Sequence, residues 1–215
     1  MAVPVGGGGA ATGGTPWGGP VELEETLRGA DGLLSGHFVL SSGRHADRYL
    51  QVAAPFERPD VARRLAGALA AAVLDRGLRP QTVLGPALGA IVPGFALAQA
   101  MGLRFIFSER DGDGRMALRR GFRLVAGEPV LVCENTLTTG GSVHEVLALI
   151  EAAGARVVGV ATYCDRTADP ASVFAVPYVS LGRFELTSWD AADCPLCRAG
   201  AAAAVKPGSR PGLVG

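Results

Sequence analysis

Apolar residues recur along this chain in two rhythms, which predict an alternation of helices and strands. Val61, Leu65, Leu69 and Val73 return at every fourth position, so residues 60–76 are predicted to form a helix with one apolar face. The other predicted elements are helices at residues 21–34, at 88–101 and from Val143, strands at 82–85, at 103–107, from Val130, from Val157 and near Tyr178, and extended chain at 38–52. Strands that alternate with helices indicate an α/β fold with a parallel sheet.

The segment VLVCENTLTTGGSVHEVLALIEAAG, residues 130–154, carries the strongest local signal. It reads as a buried strand, a turn at residues 138–142 and an amphipathic helix. The glycines of the turn allow close backbone approach, and the helix N-terminus supplies unpaired N–H donors, so we predict a phosphate cradle rather than a plain loop. Ser142 and Glu145 fit the S-x-x-E capping box of a helix start.

Two polar residues, Glu134 and Asn135, follow directly on the apolar run at residues 130–132. Ligands of open parallel sheets bind at the carboxyl ends of the strands. A phosphate on the turn and a sugar over these two side chains would be one ligand, a sugar phosphate. The sequence has neither the G-x-x-x-x-G-K-[ST] loop nor a dinucleotide-binding glycine pattern.

Composition limits the function classes. The 215 residues are 48% hydrophobic with a formal net charge of zero, which gives no electrostatic case for nucleic acid or an anionic membrane as a partner. Residues 1–20 are rich in glycine and lack the basic and apolar regions of a secretory signal, so we expect a disordered leader and a cytoplasmic protein. Lys206 is the only lysine. Cationic roles in catalysis must therefore fall to arginine.

The four cysteines are too few and too scattered for a disulfide scaffold. Cys133 and Cys164 are predicted to be small core residues. Cys194 and Cys197 form a C-x-x-C, which is half of a zinc site that would need a second pair from a symmetry mate, or a tight turn with two thiols, the interpretation we favour. No metal-binding spacing links the three histidines, which are predicted to be surface or hydrogen-bonding residues: His37, His45 and His144.

The chain resembles a known family in four ordered segments. ENTLTTGGS, residues 134–142, resembles the phosphoribosyl-pyrophosphate (PRPP) signature of the type I phosphoribosyltransferases, two acidic residues followed by T-[TA]-G-[GT]-[ST]. GHFVLSSGRHADRY at 36–49 and LGPALGAI at 84–91 resemble the substrate segment and the pyrophosphate loop of orotate phosphoribosyltransferases. CPLCRAG with KPGSR, between 194 and 210, resembles the tail of one bacterial branch. The resemblance covers residues 23–210, nearly the whole chain.

The resemblance implies a type I phosphoribosyltransferase-like parallel sheet flanked by helices, with a small N-terminal hood. The domain would span residues 21–210: a hood from 21–55 plus the C-terminal segment, a core from about 56–182, and a tail at 211–215. The implied reaction transfers the 5-phosphoribosyl group from PRPP to orotate, with Mg²⁺ bound mainly through PRPP rather than by protein ligands. The implied assembly is a homodimer with shared active sites. Two alternatives stay open: a diverged paralogue that ribosylates another aromatic acid or base, and a PRPP-binding regulator without catalysis.

The family pattern also implies roles for individual residues. The 5-phosphate would lie on residues 138–142, the ribose on Glu134 and Asn135, and the pyrophosphate on residues 87–89. The orotate carboxylate would meet Arg166, for which a surface salt bridge is the alternative. The PRPP-binding set is Ala87, Leu88, Gly89, Glu134, Asn135, Thr136, Leu137, Thr138, Thr139, Gly140, Gly141 and Ser142, and the orotate-binding set is Ser41, Tyr49, Thr138 and Arg166.

Residues 108–122, SERDGDGRMALRRGF, correspond to the mobile catalytic loop of the family, whereas the DG dipeptides favour a solvated hairpin. We favour the catalytic loop. The family's lysine and histidine are missing from it, and Glu109 stands where an arginine is frequent. Arg110 and Arg115 are then the best candidates for the leaving-group cations, and with Glu134 and Asn135 they form the predicted catalytic set.

The chain departs from the family pattern elsewhere too. Asn135 replaces the usual second acid of the signature, and Thr136 follows it where an aliphatic residue is usual. Ala46 replaces a common serine, and Gly89 replaces the lysine often found in the pyrophosphate loop. Asparagine can still hydrogen-bond ribose hydroxyls, but it brings no charge to stabilise a developing cation.

Overall fold

A computed structural model describes residues 22–40, 42–167 and 173–207 of the chain. Its helices are α1 (Leu23–Gly29), α2 (Pro59–Asp75), α3 (Ile91–Met101), α4 (Gly141–Ala152) and α5 (Pro195–Arg198), with short 3₁₀ turns at Ala54–Glu57 and Ala191–Asp193. Its strands are β1 (Leu33–Val39), β2 (His45–Leu50), β3 (Thr82–Pro86), β4 (Arg104–Arg110), β5 (Met116–Leu118), β6 (Pro129–Leu137), β7 (Arg156–Asp165), β8 (Tyr178–Arg183) and β9 (Ser188–Trp189). The alternation of strands and helices from β3 to β8 confirms the predicted α/β fold.

The larger sheet within the described residues has the strand order β5-β4-β3-β6-β7-β8. The strands β4, β3, β6, β7 and β8 are neighbours in the sheet in that order, and each runs parallel to the next. Strand β5 is antiparallel to β4, because the two form a hairpin. The carboxyl ends of β3, β6 and β7 therefore meet at one edge of the sheet, where the polar residues predicted from the sequence lie.

Helices cover this sheet on both faces. Leu131, in the middle of β6, packs with α2 and α3 in one apolar cluster, whereas its neighbours Val130 and Val132 pack with α4 in another. Successive side chains of a strand point to opposite faces, so an uninterrupted apolar run fits a strand that is covered on both sides. The predicted face of α2 is correct: Leu65, Leu69 and Val73 are completely buried there.

A second, smaller sheet has the order β1-β2-β9 and contains the segments that the resemblance assigns to a hood. The C-terminal segment joins it, since Val39 N–H donates to the Val205 carbonyl at 2.8 Å and Val205 N–H donates to the His37 carbonyl at 2.9 Å. Strand β1 therefore pairs with residues more than 150 positions away in the sequence.

Two predicted element boundaries are wrong for local reasons. The helix predicted at residues 21–34 ends at Gly29, because Asp31 adopts a φ of 55° and Gly32 packs so closely that a Cβ on it would lie 2.5 Å from Pro55 Cγ. The helix predicted at 88–101 begins only at Ile91, because residues 87–90 form a loop. Among the described residues, no helix combines the length and apolar character that crossing a membrane requires.

Candidate active site

The turn between β6 and α4 forms a small polar pocket of about 110 Å³. Helix α4 begins at Gly141, and no side chain of the described residues caps its N-terminus. The first N–H groups of a helix have no carbonyl partner within it, and they carry partial positive charge. The pocket is lined by Glu134, Thr136, Leu137, Thr138, Thr139, Gly140, Gly141, Ser142 and Val143, which includes the whole predicted phosphate turn.

The predicted capping box is wrong. Ser142 is the second residue of α4 rather than its N-cap, which is Gly140. Glu145 instead receives two hydrogen bonds of 2.9 Å from the guanidinium of Arg110, and this contact lowers the pKa of the Glu145 carboxyl. The start of α4 is thus left open to a ligand, while Glu145 ties the helix to the end of β4.

Glycine is required at one position of the turn and leaves space at the next. Gly140 has a φ of 78°, and a Cβ on it would lie 2.9 Å from Val173 Cγ1, so both backbone conformation and packing select glycine. A Cβ on Gly141 would meet only Thr139 Oγ1, at 3.8 Å. Because Thr139 lines the pocket, a side chain at residue 141 would grow along its wall without disturbing the core.

Glu134 and Asn135 lie at the carboxyl end of β6, as predicted. Burial raises the pKa of Glu134 to about 7, although a hydrogen bond of 2.9 Å from the Asn135 N–H to Oε1 opposes the shift. Asn135 Oδ1 in turn accepts a hydrogen bond of 2.7 Å from the Thr136 N–H. The amide of Asn135 is thereby oriented, with its Nδ2 directed towards the loop after β3.

That loop is the predicted pyrophosphate loop. The Ala87 N–H donates to the Ser108 carbonyl at 2.7 Å, and the Ala87–Leu88 peptide bond is cis. The Leu88 side chain is 84% exposed, so the loop projects from the sheet edge. A Cβ on Gly89 would lie 2.9 Å from Asn135 Nδ2, which places the loop directly beside the end of β6.

Arg166 follows β7 and lies beside the turn, because its N–H donates to the Leu137 carbonyl at 2.8 Å. Within the described part of the chain its Nε is buried without a hydrogen-bond partner, and it forms no ion pair, so the alternative of a surface salt bridge is not what these residues show. Desolvation lowers the pKa of the guanidinium, an effect that Tyr49 opposes electrostatically. A half-buried guanidinium without a counter-charge among the described residues suits an anionic ligand.

The remaining residues of the predicted orotate-binding set lie in different parts of the fold. Tyr49 lies in β2 of the hood, half-buried, with its ring 5.8 Å from that of Phe38 between centroids. Thr138 is exposed at the pocket. Ser41 lies outside the residues that the structure describes. An acceptor-binding role for these residues stays a prediction.

The segment at residues 108–122 forms a hairpin, which was the alternative to the catalytic-loop interpretation. Its tip is closed by Asp111, whose carboxylate accepts hydrogen bonds of 2.9 Å from the N–H groups of Asp113 and Arg115. Arg110 is held by Glu145, whereas Arg115 is exposed at the tip. Glu109, where the family often has arginine, pairs with Arg120 at 2.5 Å. A catalytic role for the two predicted arginines stays a prediction.

Sequence reasoning missed Glu145 as the partner of Arg110 and the contact from Asp165 to the backbone directly after Arg166. Asp165 is almost fully buried at the end of β7, and its Oδ1 accepts a hydrogen bond of 2.7 Å from the Thr167 N–H. An aspartate two residues before a threonine in CDRT is a turn signal that could have revealed the second contact. The first joins residues 35 positions apart and has no local signal.

Comparison with known proteins gives the same class as the fold and the site. The family model described as "Phosphoribosyl transferase domain" matches residues 56–190. Orotate phosphoribosyltransferase of Wolinella succinogenes is 43% identical over 202 residues, covering 88% of this chain and 98% of that protein. The protein of the same name from Heliobacterium modesticaldum is 44% identical over 190 residues, covering 88% and 97%.

The structural comparison supports the fold. The crystal structure of orotate phosphoribosyltransferase from Aeropyrum pernix superposes with a TM-score of 0.66 at 21% identity, covering 75% of this chain and 93% of that one. The parallel sheet with a polar turn at the start of a helix therefore defines a type I phosphoribosyltransferase, an enzyme of the pentosyltransferase class. Within that class, the chain belongs to the orotate phosphoribosyltransferase family.

Proposed function

We propose that this protein transfers the 5-phosphoribosyl group of PRPP to orotate, giving orotidine 5′-phosphate and pyrophosphate, a step of pyrimidine biosynthesis. The observation that carries the proposal is the position of Arg166. Its half-buried guanidinium has a buried Nε with no hydrogen-bond partner among the described residues, and its backbone is hydrogen-bonded to Leu137, which lines the phosphate pocket. A carboxylate-bearing acceptor on Arg166 would thus lie next to a phosphoribosyl group on the turn.

The proposed reaction needs no protein nucleophile. The bond from C1 of the ribose to the pyrophosphate oxygen breaks, and a bond from C1 to a nitrogen of orotate forms. The ribose acquires positive charge between these events, so the protein acts by positioning both partners, stabilising charge and excluding water. Glu134 and Asn135 would hold the ribose hydroxyls, and residues 87–89 would present backbone to the pyrophosphate.

Magnesium is part of this proposal. Mg²⁺ prefers oxygen ligands and usually binds through substrate phosphates and one or two carboxylates. The donor set at this edge fits, since the Glu134 carboxylate and the threonine hydroxyls of the turn are oxygen ligands. When bound with PRPP, the ion would neutralise charge on the departing pyrophosphate. The protein's own contribution is to hold the reactants in place.

A homodimer is also proposed, with the hairpin of one subunit reaching the site of the other. The support is an apolar surface on α2 and α3, where Val92 and Phe95 are more than half exposed beside a groove of about 470 Å³. Exposed apolar surface of this kind marks interaction sites. We further propose a cytoplasmic location, which agrees with four free cysteines. Sedimentation of the wild-type protein and of Phe95→Glu tests the dimer, since the variant should be monomeric.

Product analysis with a panel of acceptors tests the activity. The protein is incubated with PRPP, Mg²⁺ and orotate, or with another aromatic acid or base, while pyrophosphate release and the nucleotide product are measured. We expect turnover with orotate and release of one pyrophosphate per orotidine 5′-phosphate. Turnover only with a different acceptor would establish a diverged paralogue. Tight PRPP binding without turnover of any acceptor would establish a binding regulator.

A further inference from the structure

Four side chains of the hood converge at a place remote in sequence from the PRPP turn. His37 of β1, His45 of β2, Cys194 and Cys197 each direct one potential ligand atom to a common centre, and these atoms all lie within 4.8 Å of one another. His37 and His45 thus lie, within the same chain, where the second pair of ligands for the C-x-x-C would be needed. The expectation that His37 and His45 are hydrogen-bonding residues is confirmed by contacts of 2.9 Å, and their rings also reach the C-x-x-C.

Three nitrogen–sulfur distances within this cluster are close to those of a tetrahedral site. His37 Nε2 lies 3.5 Å from Cys194 Sγ and 3.6 Å from Cys197 Sγ, and His45 Nδ1 lies 3.3 Å from Cys197 Sγ. Zinc bonds of about 2.3 Å to sulfur and about 2.0–2.1 Å to nitrogen at tetrahedral angles place sulfur and nitrogen about 3.5 Å apart. His37 Nε2 and His45 Nδ1 lie 2.9 Å apart, whereas the same geometry requires roughly 3.3 Å, so the two rings need to separate by only a few tenths of an ångström.

His37 is oriented for metal binding by a second contact. Its Nδ1 lies 2.9 Å from the Ala202 carbonyl oxygen, which can only accept a hydrogen bond, so Nδ1 carries the proton. The lone pair of the neutral ring is then on Nε2, the atom that faces the two sulfurs. Histidines that bind metals commonly donate their other ring N–H to a backbone carbonyl in this way.

The two thiols are placed as metal ligands rather than as an apolar pair. The Cys194 side chain is buried, and Cys197 closes the site from the exposed side. Two thiolates and two neutral imidazoles would match the charge of a divalent ion and prefer zinc over magnesium or calcium.

We propose that His37, His45, Cys194 and Cys197 bind one zinc ion that clamps the C-terminal segment to the N-terminal hairpin of the hood. Four protein ligands leave no open position, which is the mark of a structural rather than a catalytic zinc site. The ion would close a loop of 157 residues between His37 and Cys194. It would also fix β2, the strand that carries Tyr49, so its loss should loosen the acceptor side more than the PRPP side.

The test begins with metal analysis of the full-length protein, produced without a histidine tag and without chelators. We expect one zinc per chain, and the zinc-depleted protein refilled with Co²⁺ should show the visible d–d absorption of a tetrahedral thiolate site. Cys197→Ser and His45→Ala should each lose most of the metal, whereas His144→Ala, which alters the third histidine of the chain, should keep it. Removal of the metal should lower Tm by roughly 5–15 °C.

The Co²⁺ spectrum of the wild-type protein decides the matter even if the variants fail to fold. The proposal is overturned if the metal-free protein takes up neither zinc nor Co²⁺. It is also overturned if mass spectrometry finds a Cys194–Cys197 disulfide in protein that was purified anaerobically without a reducing agent. Equal metal content in wild type and both ligand variants overturns it too. These results do not depend on the proposed transferase activity, so the two proposals can fail separately.

Discussion

Gly89 and Asn135 lie against each other across the site: a Cβ on Gly89 would be 2.9 Å from the Asn135 Nδ2 atom. These are two of the positions at which the chain departs from the family pattern, where a lysine and an acid are usual. A departure in the pyrophosphate loop and one in the ribose-binding pair are therefore sterically linked. We infer that the two residues should be studied as a pair, since the contact makes their effects non-additive.

The first prediction concerns this pair. Asn135→Asp should raise orotate turnover roughly threefold, because a negative charge near the ribose stabilises a cationic transition state. Gly89→Lys alone should lower kcat/KM for PRPP about tenfold, or about 1.4 kcal/mol, because its Cβ displaces the asparagine amide. The double variant should recover most of that loss through a Lys–Asp contact. Steady-state kinetics of all four proteins measures the coupling, and strictly additive effects would contradict it.

The second prediction tests the phosphate turn. Gly141→Val should place a branched side chain along the wall of the pocket and weaken PRPP binding by at least about a hundredfold, while the fold survives because the position is open. Titration calorimetry with PRPP and Mg²⁺ gives the affinity. Gly29→Val, at a glycine where a Cβ would have no atom within 4 Å, is the control and should bind normally. Unchanged affinity in Gly141→Val would exclude the turn as the 5-phosphate site.

The third prediction separates binding from stability at Arg166. Arg166→Met removes a half-buried guanidinium whose Nε has no hydrogen-bond partner among the described residues, so the Tm of the ligand-free protein should not fall. The same change should raise the KM for orotate by roughly 30- to 100-fold, as expected for lost hydrogen bonds to a charged group. Arg156→Met, at the exposed opposite end of β7, should alter neither quantity. A lower Tm together with an unchanged KM would indicate a purely structural arginine.

The fourth prediction concerns the hairpin. Arg110→Ala and Arg115→Ala should lower kcat more than they weaken PRPP binding, because contacts to pyrophosphate strengthen as it leaves. Glu145→Gln serves as the control for Arg110, since it weakens the ion pair and keeps the arginine. If Glu145→Gln reproduces the defect in full, Arg110 acts by holding the hairpin on α4 rather than by contacting the substrate.

Mixing subunits tests the shared site that the same prediction assumes. Dimers formed from Arg115→Ala and Gly141→Val chains should contain one intact site. An equimolar random mixture should regain about a quarter of wild-type activity, because half of the dimers are mixed and each has one working site of two. Absence of any gain on mixing would argue that each hairpin serves its own subunit.

The fifth prediction is a pH dependence. Burial raises the pKa of Glu134 to about 7, so the side chain is largely protonated below that pH in the free protein. Hydrogen bonds from ribose hydroxyls and coordination of a metal ion both favour the carboxylate, so PRPP binding should release a proton and strengthen as the pH rises through about 7. Without ligand the effect of pH has the opposite sign. Because the pKa of Glu134 is raised in the folded state, the free energy of unfolding should fall as the pH rises from the ordinary pKa of glutamate to about 7. Calorimetry in buffers of different ionisation enthalpy measures the proton release, which Glu134→Gln should abolish.

The sequence alone determined the features that depend on neighbouring residues. The apolar period of α2, the apolar run of β6 and the glycine turn before α4 each act within a few positions, so their predictions were confirmed. The sequence also predicted correctly that Arg166 directly follows a buried strand. Boundaries failed where packing intervened, as at Gly32, whose contact with Pro55 ends the first helix early.

Only the tertiary structure decided which distant residues meet. Glu145 fits a local capping rule, but the Arg110 guanidinium, 35 positions away, offers it a stronger charge-assisted contact. Gly89 approaches Asn135 because parallel strands bring their carboxyl ends to one edge. His37 and His45 meet Cys194 and Cys197 because β9 and the C-terminal segment return to the hood. The spacing of these residues along the chain does not predict such contacts, because the fold of the chain, and not the sequence separation, sets the distance between two residues.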